Sequence, residues 1–256
     1  MIPKIIHYCW FGGNPLPELA QKCIASWKKF LSDYEIKEWN ESNYDVRKIP
    51  YTAQAYDAKK YAFVSDYARF DILYQYGGVY FDTDVEVIKP MDDILANGPF
   101  MGLESAGNIA SGLGIAAEPG MRIYKEIIDS YKNEKFVNDD SSLNIKTVVV
   151  RVSDIFRRHG FTNEDILQCC ADVKIYPIDF FCPKSYSAGT LTITGNTRTI
   201  HHYDGSWQSI YTRKMMKEKE FIRKNIHLKT VAVLLEKICT LKKIVLEFIY
   251  PERCVE

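Results

Sequence analysis

The side chains best placed to do chemistry in this 256-residue chain are Asp82 and Asp84, with Thr83 between them. On extended backbone, side chains two apart share a face, so both carboxylates can point the same way. Two like charges held that close are costly to bury unless a cation lies between them. Carboxylate oxygens suit hard ions such as Mg²⁺ or Mn²⁺, which keep positions open for water and phosphate. A D-x-D alone also fits a solvated strand end, and its surroundings here argue otherwise. The apolar run Val79-Tyr80-Phe81 leads into it, Gly77-Gly78 precedes that run, and the helical stretch before the glycines carries Asp66 and Arg69.

Two further places carry usable groups. His201-His202-Tyr203-Asp204-Gly205-Ser206-Trp207 puts imidazole, hydroxyl and indole around a glycine bend. Imidazole and hydroxyl oxygen can ligate Mn²⁺, and an indole N–H can reach a phosphate oxygen. Read in isolation, the same run is a structural histidine beside a core tryptophan. Trp10, next to Gly12-Gly13, is either a flat face for a base or an ordinary core aromatic.

These groups need elements to hold them. Ile2 to Trp10 reads as a buried first strand, broken by the turn Phe11 to Pro15. Leu16 to Leu31 is an amphipathic helix, and Tyr34 to Trp39 a second strand. Phe63, Tyr67, Phe70, Leu73 and Tyr74 recur at helical spacing, and Gly77-Gly78 ends that helix. Val79 to Phe81, Val85 to Ile88 and Phe100 to Leu103 read as strands. Ile109 to Ala117 reads as a loop plus a strand near the site, and Gly120 to Lys132 as a helix. Phe136 to Leu143 reads as a polar, mobile loop, and Val148 to Phe161 as either strand or helix. Val173 to Phe181 and Leu191 to Tyr203 are strand-like, the latter with a turn at Gly195-Asn196.

Lys plus Arg and Asp plus Glu balance at 33 each, so no global basic field points to nucleic acid. Seven cysteines without zinc spacing fit reduced thiols and a cytoplasmic protein. No stretch approaches the roughly 18 consecutive apolar residues of a spanning helix. After residue 210 the character changes: eleven Lys and Arg stand against six Glu, with apolar residues at roughly helical spacing. That tail is either a helix packed on the domain with a solvated basic face or an amphipathic helix on an anionic bilayer, at the inner face of the cell membrane.

Three motifs in order, IPKIIHYCWFGG, SDYARFDILYQYGGVYFDTDVEV and TIHHYDGSW, supported by FCPKSY at 181–186, resemble glycosyltransferase family 32, the group with a DXD sugar-binding region, in its bacterial capsular-polysaccharide form. The resemblance spans about residues 1–210, leaving 211–256 as a basic amphipathic helical extension. It implies an α/β fold of GT-A type, with a central, mostly parallel sheet flanked by helices. It also implies transfer of a hexose or N-acetylhexosamine from a nucleotide-sugar, foremost a UDP-sugar, with retention of configuration. The expected acceptor is a saccharide, lipid-linked, in capsule or surface polysaccharide synthesis. By resemblance, Asp84 is the direct metal ligand, Asp82 touches ribose and the sugar–phosphate side, and His201 completes the metal's ligands, with His202 as the register alternative. Trp10, Asp66, Arg69, Tyr80, Asp82, Ser206 and Trp207 form the expected donor-binding set. Asp82, Asp84 and Arg69 are the expected catalytic residues.

The chemistry asks for charge stabilisation on a departing diphosphate, which a divalent ion and a bidentate Arg69 contact would supply. A double displacement would further need a carboxylate nucleophile, for which Asp92, Asp93 and Glu104 are local candidates. Front-face attack needs none. Two other readings stand beside this one: a haloacid-dehalogenase-type phosphohydrolase, whose D-x-D normally opens the chain, and a non-catalytic sugar-binding module.

Overall fold

The computed structural model describes residues 1–185, 190–205, 210–226 and 229–249. In chain order the elements are β1 (Ile5–Cys9), α1 (Glu18–Phe30), β2 (Glu35–Trp39), α2 (Pro50–Asp57), α3 (Tyr61–Tyr76), β3 (Gly78–Tyr80), β4 (Val85–Val87), α4 (Asp92–Leu95), β5 (Phe100–Ser105), β6 (Asn108–Ala110), β7 (Ile115–Ala117), α5 (Arg122–Asp129), α6 (Val148–Arg158), β8 (Gln168–Cys170), β9 (Val173–Tyr176), α7 (Ile178–Phe181), β10 (Thr199–His201), α8 (Ile210–Asn225) and α9 (Lys229–Ile249). Met1–Lys184 with Leu191–His202 forms one compact unit, and the described residues from Tyr203 onward belong to a second.

The first unit is built on an eight-stranded sheet in the order β2-β1-β3-β7-β5-β9-β8, with β6 beside β5. β1 pairs in parallel with β2 and β3, and β5 in parallel with β9, while β6, β7 and β8 run antiparallel to their neighbours. Followed through these pairings, β1, β2, β3, β5 and β9 all point one way. The sheet is therefore mostly parallel, as expected for α/β. α3 lies against β1, β3 and β7, and α2 and α5 pack on α3; α6 covers β6 and α7 covers β5. Aromatic rings dominate the core between these helices and the sheet, with Tyr51, Phe70, Tyr124, Tyr131, Phe136 and Phe156 almost fully buried.

The step from α3 into β3 depends on its two glycines. Gly77 takes φ +64° and donates its N–H to the Leu73 carbonyl at 2.8 Å, closing the helix. Gly78 takes φ +97°, and a Cβ there would lie 2.6 Å from the Ile5 carbonyl oxygen and 3.0 Å from His7 Nε2. Only glycine combines that backbone with that approach. His7 is fully buried beneath the pair. The Trp39 indole can only donate, so His7 Nδ1 accepts from it at 3.0 Å and Nε2–H donates to the Gly77 carbonyl at 3.0 Å. Burial pushes the His7 pKa down to about 4, with nearby Lys37 adding to the shift against the Gly77 hydrogen bond.

Three sequence readings can be sharpened. Of strand or helix for Val148 to Phe161, the structure has helix over Val148–Arg158, with the Thr147 hydroxyl capping its first turn by accepting from the Val150 N–H. Phe136 to Leu143 is a loop whose start is anchored: Phe136 is fully buried, and Gln54 Oε1 accepts from the backbone of Phe136 and Val137 at 2.9 and 3.1 Å. The expected strand from Val173 stops at Tyr176, and Pro177 turns the chain into α7.

In the second unit, α8 and α9 pair as an antiparallel hairpin. Thr212 meets Glu247 at 3.2 Å and Glu218 meets Lys242 at 3.1 Å. Glu218, Phe221, Ile222 and Cys239 line an open groove of about 440 Å³ between the helices, which holds none of the expected site residues. No described helix is long and apolar enough to cross a membrane.

Candidate functional site

The aspartate pair does not lie on a strand. β3 ends at Tyr80, and the Val85 N–H donates back to the Asp82 carbonyl at 3.1 Å, so Asp82-Thr83-Asp84 forms a turn. Extended alternation therefore does not set the two side chains; long-range partners do. Asp82 takes one set of partners and Asp84 another.

On the Asp82 side, Arg69 is the brace. The residue is 3% exposed. Nε–H donates to the Ser65 carbonyl at 3.1 Å and Nη1 to Ser111 Oγ at 3.0 Å, while Nη2 pairs with Asp66 Oδ1 at 2.9 Å and Asp82 Oδ1 at 3.2 Å. Each nitrogen is thus engaged by a partner within the protein. In this arrangement Arg69 holds the two carboxylates in place. Burial opposes its charge, and Asp82, Tyr80 and Asp66 together hold it protonated. The Tyr80 hydroxyl, itself buried, donates to Asp82 Oδ1 at 3.1 Å. Asp66 and Arg69 share a face of α3 at i, i+3 spacing. Burial pushes the Asp66 pKa up to about 6 despite Arg69, with Asp82 adding to the rise and the more distant Arg151 opposing it.

On the Asp84 side the partner is His201. β10 pairs antiparallel with β4, with His201 opposite Val85, which brings His201 Nε2 to 3.2 Å from Asp84 Oδ1. Burial works against a charged imidazole there, but Asp84, with Asp82 and Glu104 further off, outweighs it and raises the His201 pKa. His202 faces elsewhere. Its backbone N–H donates to the Asp84 carbonyl at 2.9 Å, but its ring meets Glu86 at 2.8 Å, and Glu86 also binds Lys22 at 3.0 Å. Of the two histidines, His201 is the one whose ring reaches the aspartate turn.

Sequence reasoning missed several supports. Trp27, fully buried on α1, donates its indole N–H to the Val85 carbonyl at 2.7 Å and pins the far end of the turn. Ser111 and Gly112, between β6 and β7, back the Arg69–Asp82 pair, and the Asp82 N–H donates to the Gly112 carbonyl at 3.2 Å. A Cβ at Gly112 would lie 2.1 Å from Asp82 Oδ2. Among these, only the glycine-rich composition of 109–117 was a usable signal.

The three acid candidates separate. Asp92 and Asp93 open α4 and are exposed, with Asp93 paired to Arg198 at 2.6 Å. Glu104 stands at the C-terminal end of β5, where the β5–β6 register shifts between Leu103 and Ser105. A bulge of this kind re-aims a side chain, and bulges are common beside active sites. Glu104 is partly buried, burial raises its pKa, and His201 is the charged group that opposes the rise. Trp10 follows β1, partly exposed, with its indole N–H donating to the Asn14 carbonyl at 2.6 Å. It is not a core aromatic. Ser206 and Trp207 lie outside the described residues.

The family described as a glycosyltransferase sugar-binding region containing the DXD motif matches residues 17–101, which hold Asp66, Arg69, Tyr80, Asp82 and Asp84. Inositol phosphoceramide mannosyltransferase 1 of Schizosaccharomyces pombe is 33% identical, over 39% of this chain and 33% of its own length. Inositol phosphoceramide mannosyltransferase 3 of the same yeast is 34% identical, over 37% of this chain and 27% of its own length. An uncharacterized glycosyltransferase, L373, of Acanthamoeba polyphaga mimivirus is 31% identical, over 39% and 42%. The chain thus spans about a third of the length of the fungal relatives it matches. These relatives are fungal and viral, not bacterial capsule enzymes. Among solved structures, the PaToxG glycosyltransferase matches at TM-score 0.46 and 18% identity, over 61% of this chain and 69% of that one. A glycosyltransferase involved in glycosylating the PBCV-1 major capsid matches at TM-score 0.46 and 13% identity, over 84% and 99%.

Proposed function

We propose that this chain is a metal-dependent glycosyltransferase. It moves a hexose or N-acetylhexosamine, with retention of configuration, from a nucleotide diphosphate sugar (a UDP-sugar foremost) to a saccharide acceptor carried on a lipid. The observation that carries the reading is the Asp84–His201 contact beside an Asp82 braced by Arg69. The matching sugar-binding region supports transfer. The names of the fungal relatives, which specify a ceramide-based lipid acceptor and mannose, support the lipid-borne acceptor and place mannose among the sugars to test. A role in capsule or surface polysaccharide rests on the sequence motifs alone.

Asp82, Asp84 and His201 are the residues that would hold Mn²⁺ or Mg²⁺. Two carboxylates and an imidazole suit Mn²⁺, and the missing side chain at Gly112 leaves Asp82 Oδ2 its room. Among the described residues no three His, Cys, Asp or Glu side chains stand together so as to hold a metal ion in this structure, so binding would draw these three together, with further ligands from substrate phosphates. When bound, the ion supplies Lewis acidity at the departing diphosphate. The chain's own part is positional. Arg69 and Tyr80 fix Asp82, and β10 fixes His201 against Asp84. In front-face attack the acceptor hydroxyl oxygen bonds to the anomeric carbon as the bond from that carbon to the diphosphate oxygen breaks, and the hydroxyl proton passes to the leaving phosphate. Of the three local acids, Glu104, which lies near His201, would orient that hydroxyl, or act as nucleophile in a double displacement.

The test is a panel of nucleotide-sugars, GDP-mannose included, assayed for turnover with Mn²⁺ and with chelator. Asp84→Ala should lower turnover by roughly 10³-fold, several kcal/mol of barrier, while the thermal midpoint holds. Fast phosphate release from simple phosphomonoesters, with no response to any nucleotide-sugar, would favour the phosphohydrolase. Sugar binding with no turnover, unchanged in Asp84→Ala, would favour the binding module.

A further inference from the structure

The hairpin of the second unit turns its hydrocarbon outward. On α9, Val233, Leu234, Ile238, Leu241, Ile244 and Val245 are each at least half exposed. Positions 234, 238, 241 and 245 follow i, i+4, i+7, i+11 spacing, with 233 and 244 alongside, so the six form one stripe about 18 Å long. The opposite side of α9 is the one that meets α8, through buried Ala232 and partly buried Leu235, Cys239 and Leu246. The outward face of α9 is thus mainly apolar, unlike the solvated basic face of the first sequence reading and compatible with the second, an amphipathic helix on an anionic bilayer. A contiguous exposed apolar face of this size marks an interaction surface.

We infer that this α9 stripe docks on an anionic lipid bilayer, lying in the interface plane. Charge selects the occupant. Residues after 210 hold eleven of the chain's 33 Lys and Arg but only six of its 33 Asp and Glu. Lys237, exposed, falls within the stripe, and Lys242 is exposed at its flank. On a bilayer the lysine stems lie along the hydrocarbon while their heads reach anionic headgroups. Pairing of the stripe with a second copy would instead press Lys237 into a symmetric apolar contact, an uncompensated burial of like charge. The described helix cannot span the membrane, so the mode is surface attachment.

The experiment is vesicle flotation of the full chain at physiological salt, with phosphatidylcholine vesicles and with vesicles containing 30% phosphatidylglycerol, alongside light scattering for oligomeric state. Leu241→Glu and the double variant Leu234→Ser/Leu241→Ser change only exposed positions, so helicity and thermal midpoint should hold. The expected result is binding to anionic vesicles that drops about tenfold on neutral vesicles, in 0.5 M salt and in both variants. Failure to bind anionic vesicles, equal binding to neutral ones, or binding unchanged by the variants overturns the proposal. So does a dimer that Leu241→Glu dissolves while the parent protein ignores vesicles. None of these outcomes depends on nucleotide-sugar turnover, so this inference and the transfer reading fail separately.

Discussion

At the aspartate turn this protein buries charge; along α9 it exposes hydrocarbon. Both run against ordinary folding preference. In the first region the cost is offset locally, since Arg69, 3% exposed, has all three nitrogens engaged, Asp66 and Asp82 pair with it, and Asp84 pairs with His201. In the second, no described residue fully covers the six apolar side chains, each at least half exposed, and the inferred offset is a lipid surface. A region that departs from preference with its partners inside is built to hold something small. One that departs without them is built to meet something large.

Substitutions can break that contrast. The largest effect after Asp84→Ala is expected for Arg69→Lys. A lysine keeps the charge but cannot engage Ser65, Ser111, Asp66 and Asp82 from one planar group. Turnover should fall about 100-fold from misplaced carboxylates, and the thermal midpoint should fall with it. If Arg69→Lys turns over normally, the brace is not what orients the site. Leu241→Glu, by contrast, should leave turnover on a soluble acceptor unchanged.

Glu104→Gln sharpens the mechanism. A glutamine at the bulge keeps the shape and loses the charge, so a role in orienting the acceptor hydroxyl predicts a drop of about tenfold in transfer with nucleotide-sugar binding intact. A loss beyond about 10³-fold would make Glu104 a nucleophile and replace front-face attack by double displacement.

The smallest effect is on stability. Asp66 has a folded pKa of about 6 against an ordinary 3.8, so the folded state binds its proton more tightly than the unfolded state does. Its stabilising contribution is complete below the unfolded value and is lost as pH rises through 6. Above that, the charged form costs about 3 kcal/mol. Asp66→Asn should therefore raise the melting midpoint by a few degrees at pH 7.5 and by nothing at pH 4, while lowering activity. A midpoint that falls at pH 7.5 would mean the Asp66–Arg69 pair stabilises more than burial costs.

Much of the first region was legible in the chain. Helical spacing up to Tyr74, the Gly77-Gly78 stop and a short apolar run located the turn, because all of these act within a few residues. What could not be read depends on distant pairing. That Asp82 and Asp84 occupy a turn follows from β10 closing on β4, more than a hundred residues later, and that pairing also selects His201 over His202. Nothing near Arg69 in sequence announces its contact with Ser111. For α9, spacing showed an apolar face, but which side α8 would take was invisible until the hairpin formed.

Gly112 offers a lever that none of the charged residues gives. Its backbone lies outside the left-handed region, so alanine is conformationally acceptable there, yet the added methyl would sit 2.1 Å from Asp82 Oδ2. One carbon atom, introduced without changing any charge, would have to push an acid off its mark. Gly112→Ala is thus a way to jam the catalyst mechanically while every ionisable group stays in the chain.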